Sequence, residues 1–150
     1  MSAVAFALGC ILQEGEPYDS PRAMAQAGPR AAVLLHRAAD AALAGLPNTS
    51  NIPQAVAETV AAYVELAQTF EPADAKYLTN HRGHLMFVKP EEQKYVTGDL
   101  IRATTFTAPE AVIKDRIAAL RDAGYTQFTV QLVPGQEHAI EDWARIMRAF

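Results

Sequence analysis

The segment Asn80-His81-Arg82-Gly83-His84 sets two imidazoles and a guanidinium around a glycine. Histidine exchanges a proton near neutral pH, arginine grips a carboxylate or phosphate with a rigid fork of donors, and glycine lets backbone come close to a ligand. His81, Arg82, Gly83 and His84 are therefore the candidate cofactor- or substrate-binding residues. The competing reading of the same spacing is a solvated turn whose histidines cap a helix end. As a metal centre the segment falls short: His81 and His84 supply two ligands with no carboxylate fixed beside them, and no metal is expected. Neither histidine is assigned a proton-transfer role, and no catalytic residue is identified.

Two other polar stretches sit where ligands gather in parallel α/β folds, after a strand and before a helix. Gly15-Glu16-Pro17-Tyr18-Asp19-Ser20-Pro21 is one, with the alternative that Asp19 or Ser20 simply caps the helix. Val133-Pro134-Gly135-Gln136-Glu137-His138 is the other, where the N–H groups of Gly135 and Gln136 could hold an anion or close a tight turn. His36 lies in an Ala/Leu-rich helix and reads as a core or boundary residue. Trp143 and Phe150 read as packing groups. There is no GxGxxG, Walker A loop, HExxH or GxSxG, which removes the usual dinucleotide, P-loop, zincin and hydrolase-elbow chemistries.

The elements that must position these residues follow from pattern. Ala3 to Leu12 is apolar on both alternating faces, as a central parallel strand would be. Ser20-Pro21 starts a helix, Gly28-Pro29 is expected to break it, and a second helix runs from Pro29 toward Gly45. Val56, Val60, Tyr63, Val64 and Ala67 form an amphipathic stripe after Pro53. Short helical starts follow at Pro72 and Pro90, with a short strand near Ala103–Phe106. Thr107 and Glu110 form a capping box for a helix over 108–123 closed by Gly124. A strand carries Phe128, Val130 and Leu132, and a last helix over 137–148 packs Ile140, Trp143, Ala144 and Met147.

Length and composition are those of one folded domain, residues 1–150, half apolar and 20% charged. The net charge of -4 is uneven: residues 1–75 carry eight acids and three bases, residues 76–150 nine acids and ten bases. With no Lys/Arg run, nucleic acid is not an expected partner. Cys10 is alone, so no intrachain disulfide or Cys-based zinc pattern is available, which suits a reducing cytoplasm. The opening apolar run lacks a basic flank and a small-residue cleavage site, and no stretch is long enough to span a bilayer. A soluble, cytoplasmic α/β chain is expected, too short to close the roughly 250-residue (β/α)8 (TIM) barrel alone.

An ordered set of segments carries a resemblance: Gly15-Glu-Pro-Tyr-Asp-Ser-Pro-Arg22, Gln26-Ala-Gly-Pro29, Tyr77-Leu-Thr-Asn-His-Arg-Gly-His84 with Leu85-Met-Phe-Val88, Phe106-Thr-Ala-Pro-Glu110, Ala123-Gly-Tyr125 and Val133-Pro-Gly135. Together they resemble the carboxyl-terminal half of the luciferase-like flavin- or F420-dependent oxidoreductases, in the branch related to methylenetetrahydromethanopterin reductase. The resemblance implies a helix-rich partial (β/α)8 barrel, about its later half, whose complete form binds FMN or F420 and a small organic substrate at the strand ends. It places His81-Arg82-Gly83-His84 at or near the active-site face and makes Glu110 and Gly124 structural. The family's phosphate-binding loop and first strands would lie before residue 1, so the chain alone is expected to bind no cofactor and to need an amino-terminal half-barrel. The alternative is a non-catalytic half-barrel that binds or dimerises, covering its open strand edges as a homo-oligomer.

Overall fold

The opening apolar run is pinched into two strands rather than one. Val4–Ala7 forms β1 and Ile11–Leu12 forms β2, in a computed structural model that describes residues 2–150. Between them Gly9 passes so close to the next segment that a Cβ there would lie 2.4 Å from the carbonyl carbon and oxygen of Phe106. Backbone bonds from Phe106 N–H to Leu8 O (2.8 Å) and from Ala108 N–H to Cys10 O (3.2 Å) join the two segments.

Six helices follow among the described residues: α1 (Pro21–Leu43), α2 (Ala57–Ala67), α3 (Lys76–Asn80), α4 (Gly98–Thr104), α5 (Glu110–Asp122) and α6 (Ala139–Met147). The remaining strands are β3 (Ala108–Pro109) and β4 (Gln127–Val130). Both strand pairs are parallel: β1 runs beside β4 with Val4 opposite Gln127, and β2 runs beside β3 with Ile11 opposite Ala108. The α/β, helix-rich character agrees with the pattern of the sequence. No helix of the described residues is long and apolar enough to cross a membrane.

Two apolar cores meet at β2. Cys10 and Leu12 join Leu35, Val60, Tyr63, Leu100 and Ile101 between α1, α2 and α4. Ile11 joins Ile113, Ile117, Trp143 and Ile146 under α5 and α6. β2 is thus covered on both sides, as a central strand requires. β1 is not, since Val4 and Phe6 are 51% and 64% exposed.

α1 is one unbroken helix through Gly28 and Pro29, where a break was expected. Ser20 caps it, its Oγ accepting from the Ala23 N–H at 3.0 Å. Proline in a helix interior costs about 3 kcal/mol, but the buried row from Ala23 through Leu35 to Ala39 packs against α2 and α4 and holds the axis together. Local chemistry is overridden by tertiary packing here.

Three further expectations change. Residues 103–106 are not a strand, because α4 runs to Thr104 and the β pairing begins at Ala108. Thr107 does not cap α5. Its Oγ1 accepts instead from the Cys10 N–H at 3.1 Å, across the strand pair, while Glu110 turns to Lys114 and Arg145. The C-terminal end of α5 behaves as expected, with Gly124 N–H on Arg121 O (2.9 Å) and Tyr125 N–H on Leu120 O (3.1 Å), the two bonds of a Schellman closure. α6 buries Ala139, Trp143 and Ile146, leaving Ile140 and Met147 outward, and Phe150 is half-exposed.

Candidate functional site

The buried face of α1 brings a third imidazole to the two expected. His36 and Asp40 stand four residues apart on this helix, on one side of it. α3 ends at Asn80 and the chain then curls back, with His84 N–H on His81 O at 3.0 Å and Met86 N–H on Gly83 O at 2.9 Å. Gly83 adopts φ +72°, and a Cβ there would fall 2.3 Å from the Phe87 ring. The curl therefore needs glycine for both its backbone conformation and its packing. Leu85 is the one non-glycine residue with positive φ among the described residues, at +61°.

This curl delivers His81 and His84 onto His36. His84 Nδ1 lies 3.1 Å from His36 Nδ1 and 3.3 Å from His81 Nδ1. The outward nitrogens of the other two rings meet carboxylates: His36 Nε2 is 2.6 Å from Glu92 Oε1, and His81 Nε2 is 2.7 Å from Asp40 Oδ2. His36 is buried, while His81 and His84 are partly open.

Behind the imidazoles runs a closed polar network. Glu92 Oε1 takes three donors: His36 Nε2, the Tyr63 hydroxyl at 2.7 Å and Lys89 Nζ at 2.7 Å. The Lys89 ammonium also donates to the carbonyls of Thr79 and Asn80, both at 2.7 Å. Asn80 ties the network to α1 through His36 O (3.0 Å) and Asp40 Oδ1 (2.8 Å). Lys89, Glu92, Tyr63 and Asn80 are all fully buried. Burial opposes ionisation of Glu92, yet hydrogen bonds from His36, Lys89 and Tyr63 outweigh it and hold its carboxyl down at about 2. Burial, and then the neighbouring His36 and His81, push His84 below its ordinary value, favouring the neutral ring.

Of the four candidate residues, three converge here and one does not. Arg82 points outward, 59% exposed, to pair with Glu91 at 2.6 Å. His36 and Glu92, which sequence reasoning did not place at the site, complete it. A usable signal for His36 was the His/Asp pair at i,i+4, which puts both side chains on one helix face.

The loops after the strands are largely self-satisfied. Glu16 accepts from the Gln13 N–H (2.8 Å), Ser20 Oγ (2.6 Å) and the Arg22 guanidinium, and Arg22 also donates to Ile11 O at 2.8 Å. Gly135 N–H is taken by Glu137 Oε1 at 2.8 Å and Gln136 N–H by Val133 O at 2.9 Å, so the 133–138 segment is a closed turn. The two loops nevertheless border one concavity of about 290 Å3 together with the residues after the curl, where Pro21 and Met24 meet Met86, Phe87, Val133 and Pro134.

Glu16 yields a pH prediction. Burial disfavours its charge, but the bonds from Arg22, Gln13 N–H and Ser20 prevail and bring its carboxyl to about 2 from an ordinary 4.5. Its stabilising effect is complete above the unfolded value and is lost as pH falls from about 4.5 toward 2. Urea midpoints measured between pH 6 and pH 3 should fall with acid, and Glu16→Gln should flatten that slope while lowering the neutral-pH midpoint. An unchanged slope in the variant would remove this assignment.

Compared with known proteins, the chain matches no family model, no curated protein and no solved structure.

Proposed function

We propose that this chain is the carboxyl-terminal portion of a flavin- or F420-dependent oxidoreductase of the luciferase-like kind, acting on a small organic substrate in a reducing cytoplasm. The observation that carries the reading is the bare side of the β1–β4 pair. Phe128 and Val130 pack beneath α5 and α6. Val4 and Phe6, with their opposite numbers Gln127 and Thr129, lie on the other side with no layer over them, and both Val4 and Phe6 are more than half exposed. Parallel strands are normally covered on both sides. A mixed apolar and polar face of this sort suits the interior of a barrel whose other strands come from an amino-terminal portion.

FMN needs donors for a phosphate at the strand ends, and F420 is likewise an anionic cofactor. Here Arg22, Gly135 N–H and Gln136 N–H are already engaged. These three donors of the strand-end loops are therefore already taken, and on this reading the phosphate is held by the amino-terminal portion. The concavity beside Met24, Phe87 and Val133 mixes apolar side chains with Gln93 and Gln136, a lining that suits one face of a flat ring or an organic substrate with polar edges.

The test is the coding sequence immediately upstream. An in-frame extension of comparable length encoding strand–helix repeats is expected, and the extended protein should purify with, or take up, a yellow flavin or deazaflavin. A stop codon directly upstream, with no uptake of FMN or F420 by the chain, would overturn the reading. The same bare face favours one other reading, a non-catalytic module covered by a second copy. Sedimentation separates them, since a monomer at high concentration refutes the module.

A further inference from the structure

The three imidazoles pose a hydrogen-bonding problem that no arrangement of their own protons solves. With Nε2–H of His36 donated to Glu92 and Nε2–H of His81 donated to Asp40, both rings turn an unprotonated Nδ1 toward His84. His84 Nδ1 carries one hydrogen at most and can satisfy one of these lone pairs. Protonating His36 and His81 instead sets two donors against the single lone pair of His84 and brings cationic rings together, their centroids 5.5 Å apart. Either way one of the two contacts, at 3.1 and 3.3 Å, is left without a matched donor and acceptor.

A cation removes the conflict. We propose that His36, His81 and His84 form a binding site for a divalent transition-metal ion of the zinc class, ligated through Nδ1, with a fourth position left for water or a small anion. The spacing fits. Metal–nitrogen bonds of about 2.0–2.1 Å in a tetrahedron place ligand nitrogens roughly 3.3 Å apart, against 3.1 and 3.3 Å here. The ligating atoms of the three residues all lie within 4.8 Å of one another.

The surroundings match what such a centre needs. A histidine ligand almost always gives its second nitrogen to a carboxylate, carbonyl or water, which fixes the tautomer and raises basicity. His36 has Glu92 for this purpose and His81 has Asp40, and each partner is itself held, Glu92 by Tyr63 and Lys89, Asp40 by Asn80. Imidazole ligands suit zinc, copper, nickel and cobalt over magnesium or calcium. Access is provided on the His81 side by a cavity of about 470 Å3 bordered by Asp40, Asp74, Lys76 and Tyr77. His84 precedes Met86 and Phe87, which border the concavity described above, by two and three residues, but the metal assignment rests on the three imidazoles alone and not on the oxidoreductase reading.

The experiment uses the untagged chain, stripped with a chelator and titrated with Co2+ and then Zn2+. One Co2+ per chain with the intense visible bands of a tetrahedral site is expected, and Zn2+ should abolish them. His84→Ala and His81→Ala, each checked for folding by circular dichroism, should lose the bands. Asp40→Asn, which alters a positioning residue, should keep their positions while weakening affinity roughly ten- to a hundredfold. His138→Ala should change nothing. Should the ligand variants fail to fold, the histidine nitrogen resonances of the unaltered chain decide. Zn2+ should move Nδ1 of His36, His81 and His84 and leave His138 in place. A Co2+ spectrum that stays that of the hydrated ion, bands that survive both ligand variants, or shifts confined to other residues would each overturn the proposal.

Discussion

Glu92→Ala should destabilise the fold by about 3–5 kcal/mol, the range for removing one partner of a buried ion pair. Its carboxylate answers Lys89, His36 and Tyr63 in a space with no access to water. Without it the Lys89 ammonium keeps two carbonyl acceptors but loses its counter-charge, and the Tyr63 hydroxyl loses its anionic acceptor. The loss should show as a lower urea midpoint with an unchanged slope against denaturant. Adding Lys89→Met should recover part of it, because the orphaned charge is then gone and an apolar chain of similar volume fills the site. A single-variant loss below about 1 kcal/mol, the size of an ordinary hydrogen bond, would mean that the network is held together by something other than this carboxylate.

Gly9→Ala should cost about 3 kcal/mol, at the upper end of what overpacking does in a core. The added methyl would meet the carbonyl of Phe106 at 2.4 Å and the Thr107 nitrogen at 2.9 Å. These are backbone atoms with no rotamer to escape into, so the strand pair itself must part. The Phe106 N–H bond to Leu8 and the Ala108 N–H bond to Cys10 should then exchange with solvent faster than those inside α1, as hydrogen exchange would show. A variant with wild-type stability and unaltered exchange at Phe106 and Ala108 would exclude this close approach.

What was legible in the sequence was mostly what neighbouring residues decide among themselves. Ser20-Pro21 started α1, Gly124 ended α5, and the row Val56, Val60, Tyr63, Ala67 marked the buried side of α2 and its approach turn. Failures came where a distant partner outbid a near one. Thr107 had the spacing of a helix cap, but the Cys10 N–H, 97 residues away, took its oxygen. Gly28-Pro29 had the composition of a break, yet the apolar row it interrupts is packed on both sides of the interruption. At the imidazole cluster the sequence offered His81 and His84 as a local pair, while His36 stands 48 residues from His84 and Glu92 a further eight. Nothing in the spacing of residues 80–84 announces partners on another helix. The turn reading and the ligand reading of this segment were also less opposed than their patterns suggested, since the curl around Gly83 is what presents both rings.

The pairing of β1 with β4 has a consequence for biosynthesis. Val4 finds Gln127, and Ala7 finds Val130, across nearly the whole length of the chain. During translation the α1–α4 portion can collapse while β1, with Phe6 upon it, still lacks β4 along one edge. Its edge waits until residue 130 has cleared the ribosomal tunnel, which makes the interval before that moment the one in which a nascent chain is most exposed to aggregation and most in need of a chaperone.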